Sequence, residues 1–170
     1  MSAPGNSVSR RGGWARLAAV AAAIVAIDQA VKGIVVGAIE RGEKVEVLPF
    51  LDFVHVLNDG VALGFLGGGS RALVLAVTVV ALLLVFAWFS WDPSRPWAWL
   101  AIGLLAGGAM GNLIDRIARD AVVDFIDFPA WPSFNVADIA ITVGAVTLAL
   151  AAFALDEPSP AAKDVEADTP

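Results

Sequence analysis

The chain contains no cysteine, which excludes disulfides, thiol catalysis and cysteine-based metal sites together. It has a single histidine, His55, too few for a multi-histidine metal centre. Charge is scarce as well. Asp, Glu, Lys and Arg make up 16% of the 170 residues, against about 25% in ordinary soluble domains. The net charge of -6 arises largely in the tail, where Asp156, Glu157, Asp164, Glu166 and Asp168 are answered only by Lys163. Nothing in this balance points to a nucleic-acid partner. In the body of the chain the serines are Ser70, Ser90, Ser94 and Ser133, all outside the apolar runs or at their ends.

What the chain has in abundance is apolar surface. AVILMFWYC residues account for 58% of it, and the mean hydropathy is +0.76. A bilayer core of about 30 Å takes about 20 apolar residues in helical form. Four stretches reach that length: Leu17–Ala38, Ala72–Trp91, Trp97–Ala118 and Val136–Leu155. The expected fold is an all-α membrane protein of four transmembrane helices, occupying residues 14–155. A disordered head (1–13) precedes it and a disordered acidic tail (156–170) follows.

The connections between the runs differ in kind. WDPSRP is a short turn whose prolines stop one helix and permit the next. Residues 39–71 hold KVEVL and FVHVL, rich in β-branched residues, broken by LPFLD and GGG, so a small strand-containing cap is expected there. Residues 119–135 form a second loop rich in acids, prolines and aromatics. Arg10, Arg11 and Arg16 before the first run favour a cytoplasmic N-terminus, and four crossings return the C-terminus to the same side. Trp14, Trp88, Trp91, Trp97 and Trp99 would then mark one interface and Trp131 the other. SRRGGW also admits a twin-arginine signal, but Asp28, Gln29 and Lys32 interrupt the run that follows, which favours a retained helix.

Polar side chains inside such runs are costly and point to function. Asp28 and Lys32 are four residues apart and share a helix face, as an internal ion pair or against a substrate. In GGAMGNLIDRI, Gly103, Gly107 and Gly111 make a small-residue face for close helix approach. Gly108, Asn112 and Arg116 make a second stripe, more polar toward its outer end. Asp138 falls in the first turn of the last run, after Asn135 at the cap position. Asp115 reads as reaching the interface or pairing locally. With this topology Lys32, Arg116, Asp124 and Asp138 gather at one membrane face.

Two carboxylates held close together cannot both ionise easily, so the pair shares one proton. Such a pair activates water and protonates a carbonyl with no cysteine, serine or metal. A Ser133–Lys32 acyl-transfer dyad is the alternative, weakened because a lysine beside Asp28 stays protonated. A small transporter or channel subunit is the rival from another class. It calls for polar residues strung through the bilayer, and no inverted repeat is visible.

The motifs DQAVK (Asp28–Lys32), NDGVALG (Asn58–Gly64), GGAMGNLIDR (Gly107–Arg116), VVDFIDF (Val122–Phe128) and FNVADIAITVG (Phe134–Gly144) together resemble the bacterial lipoprotein signal peptidases, the type II signal peptidases. The resemblance runs from Asp28 to Gly144, with Leu63 where the family often has Phe. It implies a four-span inner-membrane aspartyl endopeptidase with both termini cytoplasmic. The implied substrate is a prolipoprotein carrying diacylglyceryl on its lipobox cysteine, cut just before that cysteine. The implied catalytic pair is Asp124 and Asp138, supported by Asn58, Asn112, Arg116, Asn135, Asp28 and Lys32, with no cofactor or metal. Membrane lipid is the implied surrounding and a monomer the expected state. Residues 39–71 are the expected lid, with Asn58 aimed at the site and Asp127 a bystander.

Overall fold

The computed structural model describes residues 4–59, 71–93 and 97–153. The part of NDGVALG from Gly60 to Gly64, with Leu63, lies outside these residues, as does the acidic tail. Among the described residues, four helices and three strands follow in the order α1 (Pro4–Ala38), β1 (Lys44–Leu48), β2 (Leu51–Asn58), α2 (Arg71–Trp91), α3 (Ala98–Arg119), β3 (Val122–Asp127) and α4 (Val136–Phe153).

α3 is the central helix. Its Gly103, Gly107 and Gly111 face Leu17 and Val20, then Ala21 and Ile24, then Asp28, in rising order, so α1 and α3 run parallel. The sequence stripe of small residues is this interface. On another side of α3, Gly108 meets Ala137 and Ile141, while Gly144 of α4 meets Ala101 and Leu105, so these two helices run antiparallel. At Gly108 and Gly144 a Cβ would press on opposing backbone carbonyls, and at that separation nothing flexible can yield. Gly108→Val is expected to wedge α3 from α4 and lower stability by about 1–3 kcal/mol. Gly37→Ala, where a Cβ meets nothing, is the control that leaves the unfolding midpoint in place or raises it.

Two apolar clusters sit at opposite ends of the body. Leu17, Phe89, Ala98 and Ile102 form one, bordered by Val85, Phe86, Trp88 and Trp99. Val35, Val123 and Phe125 form the other, joined by Val31, Ile39, Leu57, Ile126 and Val136 where the sheet meets the helices. Between them the helices are apolar on the outside: Ile34 on α1, Val77, Leu83 and Leu84 on α2, and Val146 and Leu150 on α4 are all exposed. That pattern suits a lipid surrounding. Among the described residues α1 (from Arg10) and α3 are long and apolar enough to cross a bilayer. The apolar stretches of α2 and α4, Leu75–Trp91 and Val136–Leu150, are shorter.

Two expectations need correction. Residues 4–13, expected to be disordered, are the first turns of α1. The helix is continued by packing: Gly13 lies against the backbone of Pro93, Arg10 donates to the Ser90 carbonyl at 2.8 Å, and Trp14 meets Phe89 edge-on. The loop of residues 119–135 contains a strand. β3 pairs antiparallel with β2, which pairs antiparallel with β1, giving the order β1-β2-β3. α3 ends at Asp120 with φ of 64°, a left-handed turn that Asp tolerates, and the chain swings directly into β3.

Candidate active site

β3 carries Asp124 in its middle, opposite Val56 of β2, with the ladder irregular between Phe53 and Val56. The sequence had suggested delivery from the end of the third apolar run; the strand instead holds Asp124 by its backbone, a firmer mount than a loop. Beyond Asp127 the chain turns and comes back. Phe134 accepts from the N–H groups of Phe125 and Ile126, and its own N–H donates to the Ile126 carbonyl. That bridge sets the start of α4 beside β3.

α4 begins with a reciprocal cap. Asn135 Oδ1 accepts from the Asp138 N–H at 3.0 Å, and Asp138 Oδ2 accepts from the Asn135 N–H at 3.3 Å. This is the capping-box arrangement, with Asp in place of the usual Glu or Gln. Asp138 thus caps its own helix and also faces the site. Its Oδ1 accepts from Asn112 Nδ2 at 2.8 Å.

Asn135 ties the two acids together. Its side-chain nitrogen donates to Asp124 Oδ1 at 2.7 Å and to Asn112 Oδ1 at 3.2 Å. Asn58, the last residue of β2, donates to Asp124 Oδ2 at 2.9 Å. Both oxygens of Asp124 therefore accept from amides. Burial nonetheless dominates: it pushes the Asp124 carboxyl up from 3.8 to about 6, with the Asp138 charge adding to the rise and the two asparagines opposing it.

Behind Asn112 lies a buried ionic cluster. Lys32 Nζ is 2.8 Å from Asp28, 2.9 Å from Asp115 and 3.0 Å from Asn112 Oδ1, and all three charged side chains are fully enclosed. Asp28 accepts in addition from the Ala137 N–H of α4 at 2.9 Å. The ion-pair reading of Asp28 and Lys32 is thus the one the geometry gives. Ser133 donates to Asp127, and Lys32 is enclosed elsewhere, so a Ser133–Lys32 dyad does not form.

Arg116 lines a cleft of about 360 Å³ with Asn112 and Asp138, walled by Val77, Leu82 and Leu105. A second hollow of about 320 Å³, with Trp131, Phe134 and Val143 in its wall, also opens on Asp138. Asp138 therefore stands where two largely apolar hollows meet. The structure brings the eight residues singled out from the sequence into one connected site.

Asp127 is held apart from it. Lys44 and Ser133 both bind its carboxylate, and the lysine is the main reason its carboxyl titrates below the usual carboxylate range. The lysine of this pair is largely in solvent, so the attraction is screened and contributes little. Asp127→Asn is expected to keep at least about half of wild-type turnover in an initial-rate assay, because removing a screened pair changes stability little. Complete loss with an unchanged unfolding midpoint would mean that the wrong acid of this strand had been chosen.

Sequence reasoning underrated Asp115. It is fully buried and accepts from Lys32, Gln29, Arg119 and the Val123 N–H. A signal was present: Gly103, Gly107, Gly111 and Asp115 continue one stripe in steps of four, which aims Asp115 at α1.

The body of apolar helices with a small sheet is that of a membrane enzyme. Two solved structures of bacterial membrane enzymes, both determined in meso, superpose on the chain. One, at 1.9 Å, has a TM-score of 0.73 at 33% identity and covers 82% of this chain and 92% of its own. The other, at 2.3 Å, has a TM-score of 0.75 at 32% identity, covering 83% and 90%. The family model described as signal peptidase (SPase) II matches residues 20–154. A lipoprotein signal peptidase of Syntrophotalea carbinolica is 40% identical over 140 residues, covering 78% of this chain and 87% of the relative. That of Oleidesulfovibrio alaskensis is 41% identical over 143 residues, covering 79% and 92%. The chain belongs to the signal peptidase II family and is a protease.

Proposed function

We propose that this protein is an aspartyl endopeptidase that removes signal peptides from diacylglyceryl-modified prolipoproteins, cutting just before the lipid-bearing cysteine. The observation that carries the reading is the linkage of Asp124 and Asp138 through Asn135 and Asn112 at the meeting point of two apolar hollows. A lipid-bearing peptide needs apolar walls on either side of its scissile bond, with polar groups only at that bond.

In this reading Asp138 is the ionised member and takes a proton from water. The oxygen attacks the scissile carbonyl carbon while Asp124 gives its proton to the carbonyl oxygen, producing a neutral tetrahedral diol. Collapse breaks the C–N bond, restores the carbonyl and returns a proton to Asp124, and the leaving amine takes up the other. Asn112 and Asn135 each place one donor on an Asp138 oxygen and so fix the carboxylate in the site. The high position of Asp124 suits the acid.

The membrane arrangement belongs to the same proposal. All four helices cross the cytoplasmic membrane, both termini are cytoplasmic, and the sheet and acid pair lie at the outer leaflet. The supports are the apolar exteriors of the helices and the position of Arg10, Arg11 and Arg16 at the end of the body opposite the acids. The chain acts as a monomer surrounded by lipid.

The test is reconstitution in liposomes with a lipobox peptide, with and without the diacylglyceryl group. Cleavage before the cysteine of the lipidated peptide alone is expected; equal cleavage of both would remove the lipid from the proposed recognition. The pH profile checks the roles. The Asp124 proton is present below about 6 and lost above it, so kcat/KM falls as pH rises through about 6. The limb in kcat stands at higher pH, because bound lipid removes more water from the carboxyl. A rising limb near 6 would exchange the two roles.

A further inference from the structure

Asp115 is completely enclosed, and the chemistry above makes no use of it. Its partners come from three elements: Lys32 and Gln29 on α1, Arg119 on α3 and the main chain of β3. Two of these contacts lead to the two acids. On one side, Asp115 Oδ2 accepts the N–H of Val123 at 3.2 Å, and Val123 directly precedes Asp124. On the other, Asp115 Oδ2 lies 2.9 Å from Lys32 Nζ, which donates to Asn112 Oδ1 at 3.0 Å. With a cation at its oxygen, the Asn112 amide must turn its nitrogen outward, and that nitrogen meets Asp138 Oδ1 at 2.8 Å. Asp28, the other carboxylate on Lys32, directs its remaining oxygen to the Ala137 N–H of α4.

We propose that Asp115 is a positioning residue for both members of the acid pair, holding Asp124 through the Val123 N–H and aiming the Asn112 donor at Asp138 through Lys32. The proposal rests on the reading of Asp124 and Asp138 as the reacting groups. One buried carboxylate thereby sets the spacing of two others that sit on separate elements. A displacement of about 1 Å in such a pair costs on the order of 100-fold in rate, so the stake is kinetic as much as structural.

Asp115→Asn tests it in liposomes with the diacylglyceryl peptide, with turnover referred to the folded fraction from thermal unfolding. The expected result is a kcat lower by about 10- to 100-fold with KM within about threefold. The falling limb of kcat/KM also moves to lower pH, because Lys32, which lowers Asp124, is no longer offset by the Asp115 charge. A merely structural role lowers the unfolding midpoint and leaves kcat per folded molecule and the limb in place; that result overturns the proposal. Should the variant not accumulate as folded protein, an amide-to-ester replacement at Val123 deletes the N–H and leaves every side chain in place, with the same replacement at Ile126 as the control for the weakened ester carbonyl. The Val123 replacement is expected to lower kcat about tenfold, and an unchanged kcat overturns the proposal equally. Asp124→Asn and Asp138→Asn run alongside. If those retain turnover, the pair reading itself fails; if they are inactive while Asp115→Asn is normal, only the positioning role fails.

Discussion

Asp124→Asn and Asp138→Asn are each expected to fold and to cleave at least about 1,000-fold more slowly than wild type. A loss of that size is about 4 kcal/mol of transition-state stabilisation, within the range attributed to a positioned proton donor or acceptor. The shape of the side chain is kept, so the chemistry alone is removed. In Asp124→Asn one amide hydrogen must face the donor of Asn58 or Asn135, which forfeits one hydrogen bond worth about 1 kcal/mol. Relief from burying a carboxylate offsets part of that loss, so the unfolding midpoint stays close to wild type. In Asp138→Asn one oxygen remains, and the Asn135 cap on the Asp138 N–H is untouched. Single-turnover cleavage of the lipidated peptide, with unfolding measured in parallel, decides the matter. Either variant keeping a tenth of wild-type turnover would sink the pair assignment.

Lys32→Met is expected to have the largest effect on stability. Asp115 keeps Arg119 at 2.6 Å, but Asp28 loses the Lys32 cation and retains Gln29 and the Ala137 N–H. Removing one partner of a buried pair strands a charge, at a cost of about 3–5 kcal/mol. Adding Asp28→Asn to Lys32→Met removes the stranded charge and is expected to recover most of the lost stability, though not the turnover, since Asn112 then lacks the cation that orients it. Thermal unfolding of the single and double variants reads this out directly. A double variant no more stable than the single one would show that the ionic cluster is not where the stability resides.

The helices were legible because lipid-length apolar runs are long, local signals. The stripe of Gly103, Gly107 and Gly111 was legible for the same reason: steps of four need no knowledge of the partner. β3 was not legible. VVDFID carries two acids in six residues, and its pairing with β2 lies about seventy residues back along the chain. Its strand character comes from that partner, not from local preference. The extension of α1 to Pro4 was likewise set by packing on the far end of α2. Within the site, the asparagines and the two acids could be singled out, whereas Asp115 was judged by its position near a helix end. Arg119, four residues on, is the local partner its place on the helix suggests, whereas Lys32 and Gln29 on α1 and the Val123 N–H on β3 are brought to it by the fold.

The bridge between Ile126 and Phe134 has a further consequence for how this region can vary. It closes the chain below the turn, so the segment from Asp127 to Ser133 hangs from a clamp that already fixes both acid-bearing strands of backbone. Lengthening a closed loop adds only about 0.6 kcal/mol for each doubling. Residues could therefore be inserted near Ala130, or a reporter group attached there, without passing strain to Asp124 or Asp138. The turn is a place where related chains are free to differ in length while the geometry on either side of the clamp stays the same.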